Sequence, residues 1–245
     1  LGMDVRISKM GDFQELKHIE GLQVSAISAG LYKNKRDDTA LFYFPDGANY
    51  AVAYTQNSIV SESITWNREN TKNNIKALFV NTKNANTFTG EQGLRSLDEI
   101  AKTLVESLRK KEKENGYEKT KIKDILFAST GVIGEKFPLE KIKSNIDNLV
   151  SNLRLNQNKI IWLKVASAIM TTDTRPKVAY SEIKFGDKIV RIAGIAKGSG
   201  MIAPNLATMF SFIFTDADIT STILNKYLNK VLLKTFNAIT VDSDT

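Results

Sequence analysis

The chain of 245 residues holds one histidine (His18), no cysteine and a formal net charge of +7. Without thiols there is no disulfide framework, no cysteine nucleophile and no thiolate metal site, and a Ser-His-Asp triad would rest on His18 alone. Acid–base work must come from carboxylates, lysines, hydroxyls or an α-amine, and no metal site is expected.

The opening residues, Leu1-Gly2-Met3-Asp4-Val5-Arg6, are neither basic nor followed by a long apolar region. No stretch reaches the roughly 18 apolar residues of a membrane span, so a cytoplasmic chain with no membrane partner is expected. Ala40 to Phe44, Tyr50 to Tyr54 and Ile75 to Val80 are short apolar runs with polar boundaries and read as strands. Leu94, Leu97, Ile100, Ala101, Leu104, Val105 and Leu108 recur at helical spacing and predict a helix with one buried face. From Arg109 to Lys123 the lysines alternate with Glu112, Glu114 and Glu118. The charge cancels locally, as on a solvated helix end, and no nucleic-acid partner is expected. Ile125 to Ala128 predicts another strand. A second helix is expected from Pro138 with Leu139, Ile142, Ile146, Leu149 and Leu153, and a third after Ser221 with Ile223, Leu224, Tyr227, Leu228, Val231, Leu232 and Phe236. The sum is an α/β protein of mixed strand order.

Glycines cluster at Ser129-Thr130-Gly131-Val132-Ile133-Gly134 and at Gly194 to Gly200. Neither cluster is a P-loop, since Lys197 precedes its glycines, and neither completes G-x-G-x-x-G, since Ala203 stands at the third glycine's place. From Lys197 the chain runs through Gly-Ser-Gly and Pro204-Asn205 into an abrupt hydrophobic strand starting near Thr208. Thr208 has two readings: a β-branched residue opening a strand, or an N-terminal nucleophile. A cut before Thr208 would create an α-amine, of pKa about 8, able to serve as its base without any imidazole. Ser129-Thr130-Gly131 is either an ordinary strand-to-helix turn or a donor site for an oxyanion.

Lys197-Gly198-Ser199-Gly200-Met201-Ile202-Ala203-Pro204-Asn205-Leu206-Ala207-Thr208-Met209 resembles the self-cleavage segment of the ornithine acetyltransferase (ArgJ) family. Ser129 to Gly134 resembles that family's oxyanion turn, and Ala168-Ile169-Met170-Thr171-Thr172-Asp173-Thr174-Arg175-Pro176-Lys177 its substrate-binding stretch. Asn81 to Gly90 matches another family segment with Thr82-Lys83 where Ser-Gly is usual. Ile239 to Thr245 matches a further one with Ser243 at a glycine's place. The five segments fall in order along the chain.

The resemblance implies a layered α/β sandwich of mixed sheets flanked by helices, similar to the ornithine acetyltransferase and DmpA-type aminopeptidase fold. It implies self-cleavage between Ala207 and Thr208, with Thr208 as nucleophile and Thr130 and Gly131 as the oxyanion hole. Thr171, Thr172, Lys197 and Thr208 would hold substrate. Acetyl would pass from N-acetylornithine to glutamate with no cofactor, acetyl-CoA being an additional donor in bifunctional members. Residues 1–207 would form the α segment with the main layered domain, and 208–245 the start of a β segment whose remainder lies beyond Thr245. The α and β chains would pair, and such pairs would form a heterotetramer. Two other readings remain at this point: an N-terminal-nucleophile aminopeptidase or amidase of related fold, and a basic binding module without catalysis.

Overall fold

The computed structural model describes residues 15–71, 74–202 and 209–243. At its centre lies a four-stranded sheet in the order β1 (Gln23–Ile27), β2 (Thr39–Asn49), β3 (Asn74–Asn81), β4 (Ile125–Ser129). The first three strands pair antiparallel. Strands β3 and β4 are parallel and are joined through the long helix α2 (Gly90–Asn115), the crossover that parallel pairing requires. Along β2, Leu41 and Tyr43 enter one core while Ala40 and Phe42 enter the other; along β3, Ala77 and Phe79 alternate with Leu78 and Val80. Both sheet faces are covered, which is why these strands read as unbroken apolar runs.

One face packs against α1 (Glu62–Asn70), α2, α3 (Leu139–Lys143) and α4 (Ile146–Ser151), with the predicted stripe from Leu97 to Leu108 on α2 buried against it. The other face meets α5 (Lys159–Ala168) and a second, antiparallel sheet of β5 (Lys177–Phe185), β6 (Lys188–Lys197) and β7 (Phe210–Thr215). Phe42 stacks on Phe214 across this layer with ring centroids 4.8 Å apart, and Trp162 lies 5.9 Å from Phe214. The layered, mixed-sheet α/β class expected from the sequence is the class observed. Helix α6 (Ser221–Leu232) follows β7, with Ile223, Tyr227 and Val231 exposed. Among the described residues no helix is long and apolar enough to cross a membrane.

Three expectations are corrected. Tyr50 to Tyr54 is not a strand: pairing of β2 with β3 ends at Asn49–Asn74, and the chain turns to the start of α6. There the Asn49 amide donates to the Ile219 carbonyl (3.0 Å) and the Tyr50 N–H to the Ser221 hydroxyl (3.2 Å). The helix expected from Pro138 is two helices, broken where the Asn145 side chain donates to the Lys141 carbonyl (2.8 Å), an interaction that competes with the helical ladder. Pro138 caps the first of them and Leu153 lies past the second. Phe236 falls in a separate 3-10 turn after α6.

Strand β4 is an edge strand, and α1 satisfies its open backbone. The Asn67 side chain donates to the Phe127 carbonyl (2.8 Å) and accepts the Phe127 N–H (2.9 Å), while the Thr71 hydroxyl donates to the Ile125 carbonyl (2.6 Å). These side chains replace a neighbouring strand and fix the element that delivers Ser129 to the next turn.

Candidate active site

Three segments converge: the turn after β4 (129–131), the end of β6 (197–199) and the stretch that follows α5 (171–173). The first is anchored from below. Ser129 donates its hydroxyl to Asn81 Oδ1 (2.7 Å) and shares a hydrogen bond with Ser63 (2.8 Å). Beyond it, the Thr130 N–H donates to the Asn81 carbonyl (3.1 Å) and the Val132 N–H to the Lys83 carbonyl (3.0 Å). The turn therefore lies against the 81–90 loop at backbone distance. Gly131 has φ 137°, and a Cβ there would drive into the Lys83 carbonyl and stand 2.5 Å from the Asn84 nitrogen. Only glycine fits. Gly131 is exposed, and among the described residues its N–H has no hydrogen-bond partner, so this donor is open to a ligand.

The supporting loop is held by side-chain amides. Asn81 Nδ2 donates to the Asn84 carbonyl (2.9 Å), and Asn84 Nδ2 to the Glu135 carbonyl (3.0 Å). Lys83, where the resemblance led to an expectation of glycine, sits at φ 71° with its ammonium 5.9 Å from the Tyr32 ring centroid. Left-handed backbone costs an L-residue about 1 kcal/mol. Lys83→Gly is accordingly expected to raise the melting temperature by roughly 2–4 °C, measured by calorimetry on the full gene product. An unchanged or lower value would show that the lysine side chain offsets the strain.

Lys197 ends β6 and is buried, 5% exposed, with Nζ donating to Thr130 Oγ1 at 3.1 Å. Among the described residues it makes no ion pair. Burial draws its pKa below the ordinary lysine value; the charge of Asp173 works to raise it and that of Lys177 to lower it. Thr172 and Ser199 join their hydroxyls at 3.0 Å. Asp173 accepts the Gly198 N–H at 2.7 Å and lies 3.4 Å from the Thr171 nitrogen. Burial works to raise the Asp173 carboxyl, but the Lys177 hydrogen bond, the Gly198 amide and the charges of Lys177 and Lys197 bring it below its usual value.

Thr130, Gly131, Thr171, Thr172 and Lys197 thus come from three distant stretches to one place. Ala207 and Thr208 lie outside the described residues. The assembled groups, a buried ammonium, several hydroxyls and an open backbone N–H, suit a carboxylate-bearing substrate and a developing oxyanion. His18 is exposed. A further segment joins from the chain's end: Ile202 bridges Val241, and Met201 donates its N–H to Asp242 Oδ2 (2.9 Å). Asn81, Ser63 and Asp173 carry weight here that the sequence reading did not assign, although Asn81 and Asp173 both stand inside the quoted motifs.

The sequence profile of the ArgJ family matches residues 23–245. The chain belongs to the ArgJ family. It is 39% identical over 246 residues to the arginine biosynthesis bifunctional protein ArgJ of Bartonella quintana, a match covering 99% of this chain and 56% of that protein. It is 40% identical over 239 residues to the protein of the same name from Nitrobacter winogradskyi, covering 96% of this chain and 54% of the relative. The chain therefore spans about half the length of the curated relatives it matches. The crystal structure of ArgJ from Bacillus halodurans superposes with a TM-score of 0.65 at 27% identity, covering 79% of this chain and 98% of that one. The ornithine acetyltransferase of Mycobacterium tuberculosis, solved in complex with ornithine, superposes with a TM-score of 0.64 at 25% identity, over 79% and 99% respectively.

Proposed function

We propose that the protein transfers acetyl from N-acetylornithine to glutamate in arginine biosynthesis, through an acetyl ester on Thr208 formed after cleavage of the Ala207–Thr208 bond. Membership of the ArgJ family and the ornithine complex of a relative support the substrate class. The observation that carries the mechanism is the 3.1 Å hydrogen bond from Lys197 to Thr130. It ties the first residue of the candidate cleavage segment to the candidate oxyanion turn. Phe210, two residues past Thr208, is the register partner of Lys197 in the sheet.

In this reading the Thr208 hydroxyl attacks the acetyl carbonyl and passes its proton to its own α-amine. The negative oxygen that forms is met by the Gly131 N–H and the Thr130 hydroxyl. The amide C–N bond breaks, ornithine leaves with the proton, and the acetyl ester remains. Glutamate's amine then attacks that ester, the same donors meet the negative oxygen, the ester C–O bond breaks as the amine's proton passes through the α-amine to the Thr208 oxygen, and N-acetylglutamate leaves. Lys197 holds the substrate α-carboxylate as a point charge, with Thr171 and Thr172 beside it. No cofactor is needed, acetyl-CoA would be an alternative acetyl donor, and cleaved α and β chains would stay paired as a heterotetramer in the cytoplasm.

The test incubates the full gene product with N-acetylornithine, with and without glutamate. Sustained ornithine release that depends on glutamate, with N-acetylglutamate accumulating, is the expected result. Fast release indifferent to glutamate would make water the acceptor and the protein a hydrolase.

A further inference from the structure

We propose that Asp173 is a positioning residue of this site: one carboxylate pins the Thr171–Thr172 stretch to the Lys197–Gly198 turn and sets a negative charge on the residue next to Lys197. Its side chain has no solvent exposure. Oδ1 accepts both the Lys177 ammonium (2.6 Å), from the start of β5, and the Gly198 N–H (2.7 Å), from the exit of β6. Oδ2 faces the Thr171 nitrogen at 3.4 Å. The two strand ends and the substrate-holding stretch are thus referred to a single group.

Packing alone does not account for the charge. Lys177 keeps 41% of its side chain in solvent and can remain hydrated, whereas Lys197 is 5% exposed. A buried ammonium is stable as a cation only if an anion or several acceptors compensate it. The Asp173 carboxylate sits on the Gly198 N–H, one residue past Lys197, Lys177 is in register with Ala196, one residue before it, and the direct partner of Lys197 is the neutral Thr130 hydroxyl. With Asp173 ionised the Lys177–Asp173 pair is neutral as seen from Lys197. With Asp173 neutralised, the charge of Lys177, which is in register with the residue before Lys197, is left uncompensated near the buried ammonium, and Lys197 gives up its proton at lower pH.

The inference rests on the acetyl-transfer reading for what Lys197 holds, but it can be tested without substrate. Asp173→Asn, Lys177→Gln and the double variant of the full gene product are compared in two measurements. The first is the pH dependence of kcat/KM for N-acetylornithine; the second is the titration of the Lys197 side chain by NMR. In Asp173→Asn the alkaline limb and the Lys197 midpoint should both move down by about one pH unit, with KM rising above the limb. Lys177→Gln should move both upward. The double variant, in which both opposing charges are gone, should return them toward the starting protein. A merely structural Asp173 would lower the melting temperature and leave the limb in place, with no recovery in the double variant, and that result overturns the proposal. If Asp173→Asn does not fold, an unmoved Lys197 midpoint in Lys177→Gln overturns it equally. Absent acetyl transfer in the unmodified protein would remove the functional reading alone, because the NMR midpoints still decide the role of Asp173.

Discussion

Replacing Thr208 by alanine is expected to leave the gene product as one uncut chain and to remove acetyl transfer. Both losses have one cause. With one exposed histidine and no cysteine, the proposed base for the Thr208 hydroxyl is the α-amine that cleavage itself would create. Alanine removes the hydroxyl that would attack the Ala207 carbonyl, and without that cut the amine never forms. Deleting the nucleophile of a covalent mechanism lowers turnover on the order of 10⁶-fold. A denaturing gel with N-terminal sequencing reads the cut: the unmodified protein should give a fragment beginning Thr-Met-Phe-Ser, and Thr208→Ala none. Thr208→Ser, which keeps a hydroxyl at the same atom, should still cleave. Retained acetyl transfer in Thr208→Ala would take Thr208 out of the chemistry.

The elements that the sequence made legible are those buried on both sides or along one full helical face. Strands β2, β3 and β4 and helix α2 bury nearly every apolar residue that announces them. The β5–β6 hairpin was not legible, because β5 is largely exposed and reads Lys-Val-Ala-Tyr-Ser-Glu-Ile-Lys-Phe without a clean apolar period. Helix α1 was hidden for a related reason: it buries Ser63 and Asn67, polar residues whose partners are the Ser129 hydroxyl and the backbone of β4. Such long-range pairs leave no periodic trace. The site motifs were readable as motifs, and the structure adds which atoms meet. It also gives physical content to two positions where the resemblance led one to expect glycine. Lys83 and Ser243 have φ of 71° and 58°. At both positions the side chain adds a steric penalty to left-handed backbone that a glycine would not incur.

Gly131→Ala is expected to cost the site more than one methyl group's volume would imply. The added Cβ meets backbone, the Lys83 carbonyl and the Asn84 nitrogen, and backbone cannot step aside as a side chain can. Since φ 137° is also unfavourable for alanine, the turn must move off the 81–90 loop. That movement breaks the Val132–Lys83 hydrogen bond and carries away the open N–H proposed to meet the oxyanion. Loss of one such donor lowers kcat by roughly 10²–10³-fold, and displacement of Thr130 with it would separate the hydroxyl from Lys197. The expected signature is a kcat loss of at least about 10²-fold, with KM for N-acetylornithine also raised because Lys197 loses its partner. Thr130→Ser, which leaves the backbone and a hydroxyl in place, serves as the control and should stay within about tenfold of the unmodified enzyme, well short of the loss of a donor. A Gly131→Ala variant with kcat intact would mean that the Gly131 N–H does not point at the reacting oxygen, and the oxyanion role would pass to other donors around Thr130.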